Sequence, residues 1–275
     1  MWREYMKALF VSTFVTAILL LSVGCSLQTQ EKRDIADGVE QPETIMPEQS
    51  VFDPVPVRFE SEDGLEIAGS FWDAPRKESG AILLLHQWGS DRRSFHSLGT
   101  ALRHLDIASL AIDGRGFGES VKTKDGNALK PERSKEAVNG MMADVDAAIR
   151  FLSEKKNIEK SRIGIVGASY GSSLALIYAA RNKEVKTVVL LSPGMNYFGN
   201  LQLDSAIKEY GNRPLLILAA EDDKASADAV RNLERMGAND KYEVKIFADG
   251  GHGTDMMRIK TKREKEITDF LEKNL

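Results

Sequence analysis

A single cysteine in 275 residues, Cys25, excludes an intramolecular disulfide and leaves no thiol for catalysis in the body of the chain. Basic residues do not outnumber acidic ones: 37 stand against 41, for a net charge of -4 spread along the sequence. No basic stripe offers the phosphate neutralisation that nucleic-acid binding needs, so nucleic acid is not an expected partner. The one long apolar run, "ALFVSTFVTAILLLSVG", is interrupted by threonine, serine and glycine and falls short of the roughly 20 apolar residues of a spanning helix. What is present is a hydrophobic content of 42%, enough for one large core.

That apolar run follows the basic-tending start "MWREYMK" and precedes "CSLQTQEKRD". This order reads as an export signal. With the small Gly24 before Cys25, "LSVGC" resembles the lipobox of a bacterial lipoprotein signal, although Ser22 stands three residues before the cysteine, where leucine is usual. The resemblance implies a signal peptide over 1–24, lipidation of Cys25, and anchorage to a bacterial membrane, facing the periplasm or the cell surface. From Cys25 to Pro56 the composition is polar, with four prolines and no apolar period, which predicts a flexible tether.

The body of the chain, 57–275, reads as a single domain without internal repeats. "VRFESEDGLEIAGSFWD" alternates apolar and polar residues about Asp63-Gly64, a turn dipeptide, and predicts an antiparallel pair. Then come apolar runs of strand length: "AILLLH", "IASLAID", "RIGIVGA", "VKTVVLLS", "PLLILAA" and "YEVKIFA". Runs apolar at every position suit strands covered on both faces. Helical spacing separates them, in "SFHSLGTALRHL", "SKEAVNGMMADVDAAIRFLSEKK", "GSSLALIYAARN", "SADAVRNLERMG" and "KTKREKEITDFLEKNL". This alternation predicts right-handed crossovers and a mainly parallel sheet. Asp144 and Asp146, on the charged face of the second helix, read as solvated decoration rather than a metal site.

In a parallel sheet, functional groups gather at the carboxyl ends of the strands. The loops there are "HQWGSDRRSF", "DGRGFGES", "GASYG", "AAEDDKAS" and "ADGGHGTD". Of four histidines, only His252 lies in a glycine-lined loop after the last strand. His96 and His104 fall on an amphipathic helix, and His86 ends a strand, where it suits bracing a loop better than moving protons. In "DGRGFGES", Asp113 and Arg115 read as pins between neighbouring loops, and no dinucleotide loop is expected.

"GASYG", set between strand and helix, resembles the G-x-S-x-G nucleophile elbow of the α/β-hydrolase superfamily. The resemblance runs from about Val57 to the C-terminus, with "HQWG" similar to the oxyanion loop and "GGHG" to the loop of the catalytic histidine. It implies an α/β-hydrolase fold: a mainly parallel sheet of about eight strands, helices on both faces, N-terminal antiparallel strands and no large cap domain. It further implies Ser169 as nucleophile and His252 as base. The family's G-x-x-D pattern places Asp223 as the acid, with Asp222 the alternative one residue away. The oxyanion hole is expected from the backbone N–H groups of Trp88 and Tyr170. Gln87 stands where relatives have glycine, and its amide is a candidate substrate contact. Met195, Tyr197 and Phe198 are further candidates for the pocket wall.

The compact layout is similar to that of dienelactone-hydrolase-like members, which typically use cysteine where this chain has Ser169. The expectation is a lipid-anchored serine hydrolase of small-molecule carboxylic esters, needing no metal or other cofactor. Two alternatives stay open: a peptidase or acyl-peptide hydrolase using the same triad, and a non-catalytic membrane-tethered binding module.

Overall fold

The computed structural model describes residues 52–237, 239–259 and 261–275. The expected signal peptide, Cys25 and most of the expected tether lie outside the described residues. Strand β1 (Val55–Glu60) pairs antiparallel with β2 (Glu66–Trp72), and the turn between them carries Asp63-Gly64 with Gly64 at φ 78°. The strand begins at Val55, two residues before the boundary expected from composition. Pro56, opposite Ser70, is tolerated because β1 is an edge strand and its outward side needs no N–H donor.

The chain continues through β3 (Ser79–Leu85), a 3-10 turn (Arg92–Phe95), α1 (His96–His104) and β4 (Ala108–Ile112). Next come α2 (Lys135–Ser153), opened by the Ser134 hydroxyl accepting the Ala137 N–H, then β5 (Ile158–Ala168), α3 (Tyr170–Arg181) and β6 (Val188–Leu191). A two-stranded ribbon, β7 (Asn196–Tyr197) with β8 (Leu201–Gln202), leads into α4 (Leu203–Tyr210). The chain ends with β9 (Leu215–Ala220), α5 (Lys224–Met236), β10 (Tyr242–Phe247), α6 (Asp255–Ile259) and α7 (Thr261–Asn274).

The main sheet has eight strands in the order β1-β2-β4-β3-β5-β6-β9-β10. Only β2 runs against the rest. This is the α/β-hydrolase fold expected from the sequence, without a large cap: the segment between β6 and β9 holds only the ribbon and α4. The apolar runs divide by strand period into two layers. Ala81, Leu83 and Leu85 of β3 join Leu190 of β6 and Ile217 of β9 under α2, α3 and α4. Ile82, Leu84, Val166, Val189 and Leu216 face α1 and α7. Burying each large aliphatic side chain contributes on the order of 1.5–3 kcal/mol. No helix among the described residues is long and apolar enough to cross a membrane.

Between β6 and β9, Leu203, Ala206, Ile207 and Tyr210 are buried at helical spacing and form the inner face of α4, an element absent from the helices expected above. One expectation needs correcting. Asp144 is not solvated: it is buried on α2, and its carboxylate accepts Nε–H and Nη–H bonds from Arg115 at 2.8 and 2.6 Å. Asp146 is solvated as expected, with an exposed carboxylate that accepts from the Tyr178 hydroxyl. Two residues apart on a helix, the aspartates lie about 200° apart around its axis, so Asp144 turns inward with Met141 and Ala148 while Asp146 turns out.

Arg115 also donates to Asp63 at 2.8 Å, so it ties the β1–β2 turn to α2 through the loop after β4. Arg115→Ala, which strands the Asp144 carboxylate, is expected to lower the unfolding free energy by about 3–5 kcal/mol. The double variant Arg115→Met with Asp144→Leu should recover most of that loss. Urea unfolding of the three proteins checks both outcomes.

Candidate active site

From β3 the chain crosses first to β4 on one side and later to β5 on the other, so loops leave the carboxyl ends of β3 and β5 in opposite directions. Such a switch point opens a crevice. Leu85 pairs with Gly167 across it, which sets the "HQWG" loop beside "GASYG".

One residue, Ser169, separates β5 from α3. Its φ of 53° and ψ of -121° lie where a side chain other than glycine is strained, at a cost on the order of 1–3 kcal/mol. Local hydrogen bonds hold it there. The Ser169 N–H donates to the Leu191 carbonyl at 2.8 Å, and the Ser169 carbonyl accepts from the Ser172 N–H at 2.9 Å and hydroxyl at 2.5 Å. A side chain at Gly171 would put its Cβ 2.5 Å from the Leu85 carbonyl oxygen, and one at Gly167 would come within 2.2 Å of the Gly171 oxygen. Tyr170 opens α3, so its N–H lies in the helix's first turn, where backbone donors have no intrahelical acceptor.

The loop after β10 brings His252 to this turn. Its Nε2 is 2.7 Å from the Ser169 Oγ, and its Nδ1 is 2.6 Å from the Asp223 Oδ2. Asp222, the alternative acid, faces elsewhere: it accepts the Gly250 N–H at 3.0 Å and the Gly251 N–H at 3.1 Å. Those backbone bonds, Gly250 first, hold the Asp222 carboxyl below its ordinary range. The adjacent carboxylates thus divide the work, one meeting the imidazole and the other bracing the loop that carries it.

The remaining candidates fall around this line of contacts. His86 donates from Nδ1 to the Gln87 carbonyl at 2.8 Å and accepts the Gly114 N–H at Nε2, 3.0 Å away. This fixes its neutral tautomer, and burial pushes its pKa down. It braces the loop, as the sequence suggested. Gln87 is placed differently from the expected substrate contact. Its Oε1 accepts from the Thr254 N–H at 2.7 Å and the Thr254 hydroxyl at 2.9 Å, joining the β3 loop to the histidine loop. Trp88 packs its ring against Phe117, Tyr170 and Phe198. Met195 is half-buried against the core, and its carbonyl accepts the Leu203 N–H. Tyr197 comes closer to the centre than a pocket wall would, with its hydroxyl oxygen 3.1 Å from the Ser169 Oγ.

His96 lies edge-on to Trp72 and His104 stacks on Phe52, both on the exposed side of α1. Asp113 does pin loops: it accepts the Arg92 and Glu119 N–H groups, both at 2.8 Å, and pairs with the Arg92 guanidinium. Other contributors escaped the sequence reading. The Ser192 hydroxyl, just past β6, accepts the Gly253 N–H at 2.9 Å. The buried Arg263 of α7 donates to Asp249 and to the Met256 carbonyl, clamping both ends of the histidine loop. Ser192 had a positional signal at a strand's carboxyl end. Arg263 had none, since it lies within a helix rich in charge. Among the described residues no group of three His, Cys, Asp or Glu is arranged to hold a metal ion.

The fold and this edge of the sheet define an α/β hydrolase. More narrowly, the chain belongs to the dienelactone hydrolase family, whose sequence model matches residues 111–268, more than half of the chain. Curated relatives include uncharacterized proteins from two strains of Mycobacterium tuberculosis, each 30% identical over 140 residues. That stretch is 50% of this chain and 44% of theirs, so the match spans less than half the length of those relatives. Similar solved structures include an esterase of Pyrococcus furiosus, 17% identical at a TM-score of 0.66 over 81% of this chain and 91% of that one. The 2,6-dihydroxy-pseudo-oxynicotine hydrolase is 14% identical at a TM-score of 0.68, over 81% and 68%. A dienelactone hydrolase of Anabaena variabilis is 17% identical at a TM-score of 0.60, over 81% and 99%. At such identities the likeness concerns the fold.

The close approach at Gly171 has a measurable consequence. A methyl group there meets backbone, which has no rotamer to yield, so Gly171→Ala is expected to cost about 3 kcal/mol or more. Thermal unfolding and soluble yield check this. A loss under about 1 kcal/mol would show that β3 and α3 separate more easily than their contact implies.

Proposed function

We propose that the protein is a serine hydrolase of carboxylic esters, acting through an acyl-enzyme on Ser169. The observation that carries this reading is the unbroken hydrogen-bonded line from Asp223 through His252 to the Ser169 Oγ. A serine hydroxyl is a weak nucleophile until a base removes its proton. His252 Nε2 takes that proton as Oγ attacks the carbonyl carbon. Asp223 holds the Nδ1–H tautomer and stabilises the imidazolium. The oxyanion that forms is assigned to the backbone N–H groups of Tyr170 and Trp88. His252 then passes the proton to the departing alcohol, and water repeats the sequence on the acyl-enzyme.

An ester is the favoured bond because the family is named for hydrolysis of a lactone, itself a cyclic ester, and because similar folds include an esterase. With only the ribbon and α4 between β6 and β9, small esters are the substrates assigned, and Phe198 and Trp88, packed together beside Tyr170, are assigned to an aromatic side of the site. The signal peptide over 1–24 and lipidation of Cys25 belong to the same proposal, supported by the order of basic start, apolar run and "LSVGC". They would place the domain at a bacterial membrane surface.

A fluorophosphonate probe should label the wild type and not Ser169→Ala. An unlabelled, folded wild type would overturn the enzyme reading. On p-nitrophenyl esters, Asp223→Asn is expected to lower kcat by about 100-fold to 10,000-fold, and Asp222→Asn by less than about tenfold. The reverse order would exchange the two assignments. A preference for aminoacyl amides over the esters would make it a peptidase instead.

For the anchor, fatty-acid labelling in a bacterial host should be lost in Cys25→Ala. Labelling that persists would remove lipidation of Cys25 from the proposal.

A further inference from the structure

The Ser169 Oγ has a second polar neighbour that the triad scheme leaves without a task. The Tyr197 hydroxyl oxygen lies 3.1 Å from it and 3.3 Å from the Ser192 carbonyl oxygen. The protons around Oγ fix the direction of these bonds. With the His252 Nδ1–H turned to Asp223, Nε2 is an acceptor, and at 2.7 Å it takes the Ser169 proton. The lone pairs of Oγ then face the Tyr197 hydroxyl, which has one proton and two acceptors. Burial raises the Tyr197 pKa, so the hydroxyl keeps its proton through the neutral range.

The backbone around Tyr197 is built at some cost. Phe198 and Gly199, the central residues of the ribbon turn, have φ of 60° and 72°, and the Asn200 N–H closes the turn on the Tyr197 carbonyl at 3.1 Å. Both central residues of such a turn need the left-handed region, which suits Asn or Gly and is unfavourable for a phenylalanine. The strained residue is braced: its ring meets Trp88, the Arg133 guanidinium lies over it at 5.1 Å, and the Asn200 amide donates to the Arg133 and Phe198 carbonyls. At Gly194 an added Cβ would fall 2.7 Å from the Tyr197 ring, so the preceding loop is open where the ring passes. Strain, bracing and clearance all hold one hydroxyl against one oxygen.

Building on the serine-hydrolase reading, we propose that Tyr197 is a further catalytic residue, whose hydroxyl hydrogen-bonds to the Ser169 Oγ as negative charge passes through that oxygen. In acylation the Ser169 O–H bond breaks, its proton goes to His252 Nε2, and Oγ bonds to the acyl carbon. Tyr197 keeps its own proton throughout and turns it from the Ser192 carbonyl toward Oγ. In the acyl-enzyme Oγ is an ester oxygen and a poor acceptor, so the hydroxyl returns to Ser192. In deacylation water adds to the acyl carbon and gives a proton to His252. The bond from that carbon to Oγ then breaks, Tyr197 donates to the departing Oγ, and His252 returns the proton. A contact stronger in both transition states than in the ground states raises kcat, and leaves substrate binding alone.

The test is Tyr197→Phe, which keeps the ring and removes the hydroxyl. On p-nitrophenyl acetate the variant should lose about tenfold to a hundredfold in kcat, with KM within about twofold and an unchanged Tm. Its rate of labelling by fluorophosphonate, which uses the same Oγ, should fall by a similar factor. An active wild type whose kcat survives the substitution overturns the role of Tyr197 and leaves the hydrolase reading intact. A raised KM with unchanged kcat does the same and returns Tyr197 to the pocket wall. A folded wild type that neither labels nor turns over any ester overturns the hydrolase reading, and this role falls with it.

Discussion

The first turn of α3 lies against the end of β3 with only glycine between the backbones, and the rest of the site depends on that contact. It forces the chain to leave β5 through a single residue and to place that residue in a strained conformation. A serine there stands at the sheet's carboxyl edge, with the start of a helix behind it. Relaxing the contact by the width of a methyl group would displace Oγ from its place 2.7 Å from the imidazole. The strain at Ser169 is held by bonds to β6 and to its own helix, which large buried layers on both faces of the sheet keep fixed.

Around that point the protein uses carboxylates to fasten loops. Asp113 gathers the N–H groups of two loops, Asp144 holds Arg115, and Asp222 holds the glycines before His252. Gln87 and Ser192 extend the same device with neutral oxygen atoms, both directed at the loop that carries His252. Such bonds satisfy loop N–H groups that have no strand partner.

Much of this was legible in the sequence, because parallel strands buried on both faces must be apolar at every position and the loops between them need not be. The strands from β3 to β9, apart from the short ribbon, appear as apolar runs, whereas β10 at the sheet edge is half-buried throughout and carries Glu243 and Lys245; Ser169 and His252 stand out by the glycines that flank them. The helix α4 also carried a readable period in Leu203, Ala206, Ile207 and Tyr210, obscured by its length of eight residues. Asp144 was misread for a different reason. Charge on an amphipathic helix is usually solvated, and its half-buried partner Arg115 lies 29 residues away in a loop.

The sequence by itself determined a mainly parallel sheet and the order of its main strands and of most helices, and the resemblance of its loops to the nucleophile elbow and histidine loop pointed to Ser169 and His252. The order follows from local chemistry: apolar period, turn residues, and glycine where backbones must crowd. Only the tertiary structure decided between Asp222 and Asp223, turned Gln87 toward Thr254, and carried Tyr197 from the wall to the Ser169 oxygen. Those choices rest on where a side chain points after the chain has crossed the sheet. Neighbouring residues of one loop can point in opposite directions, and spacing along the sequence carries no record of which one faces a partner some 30 residues away.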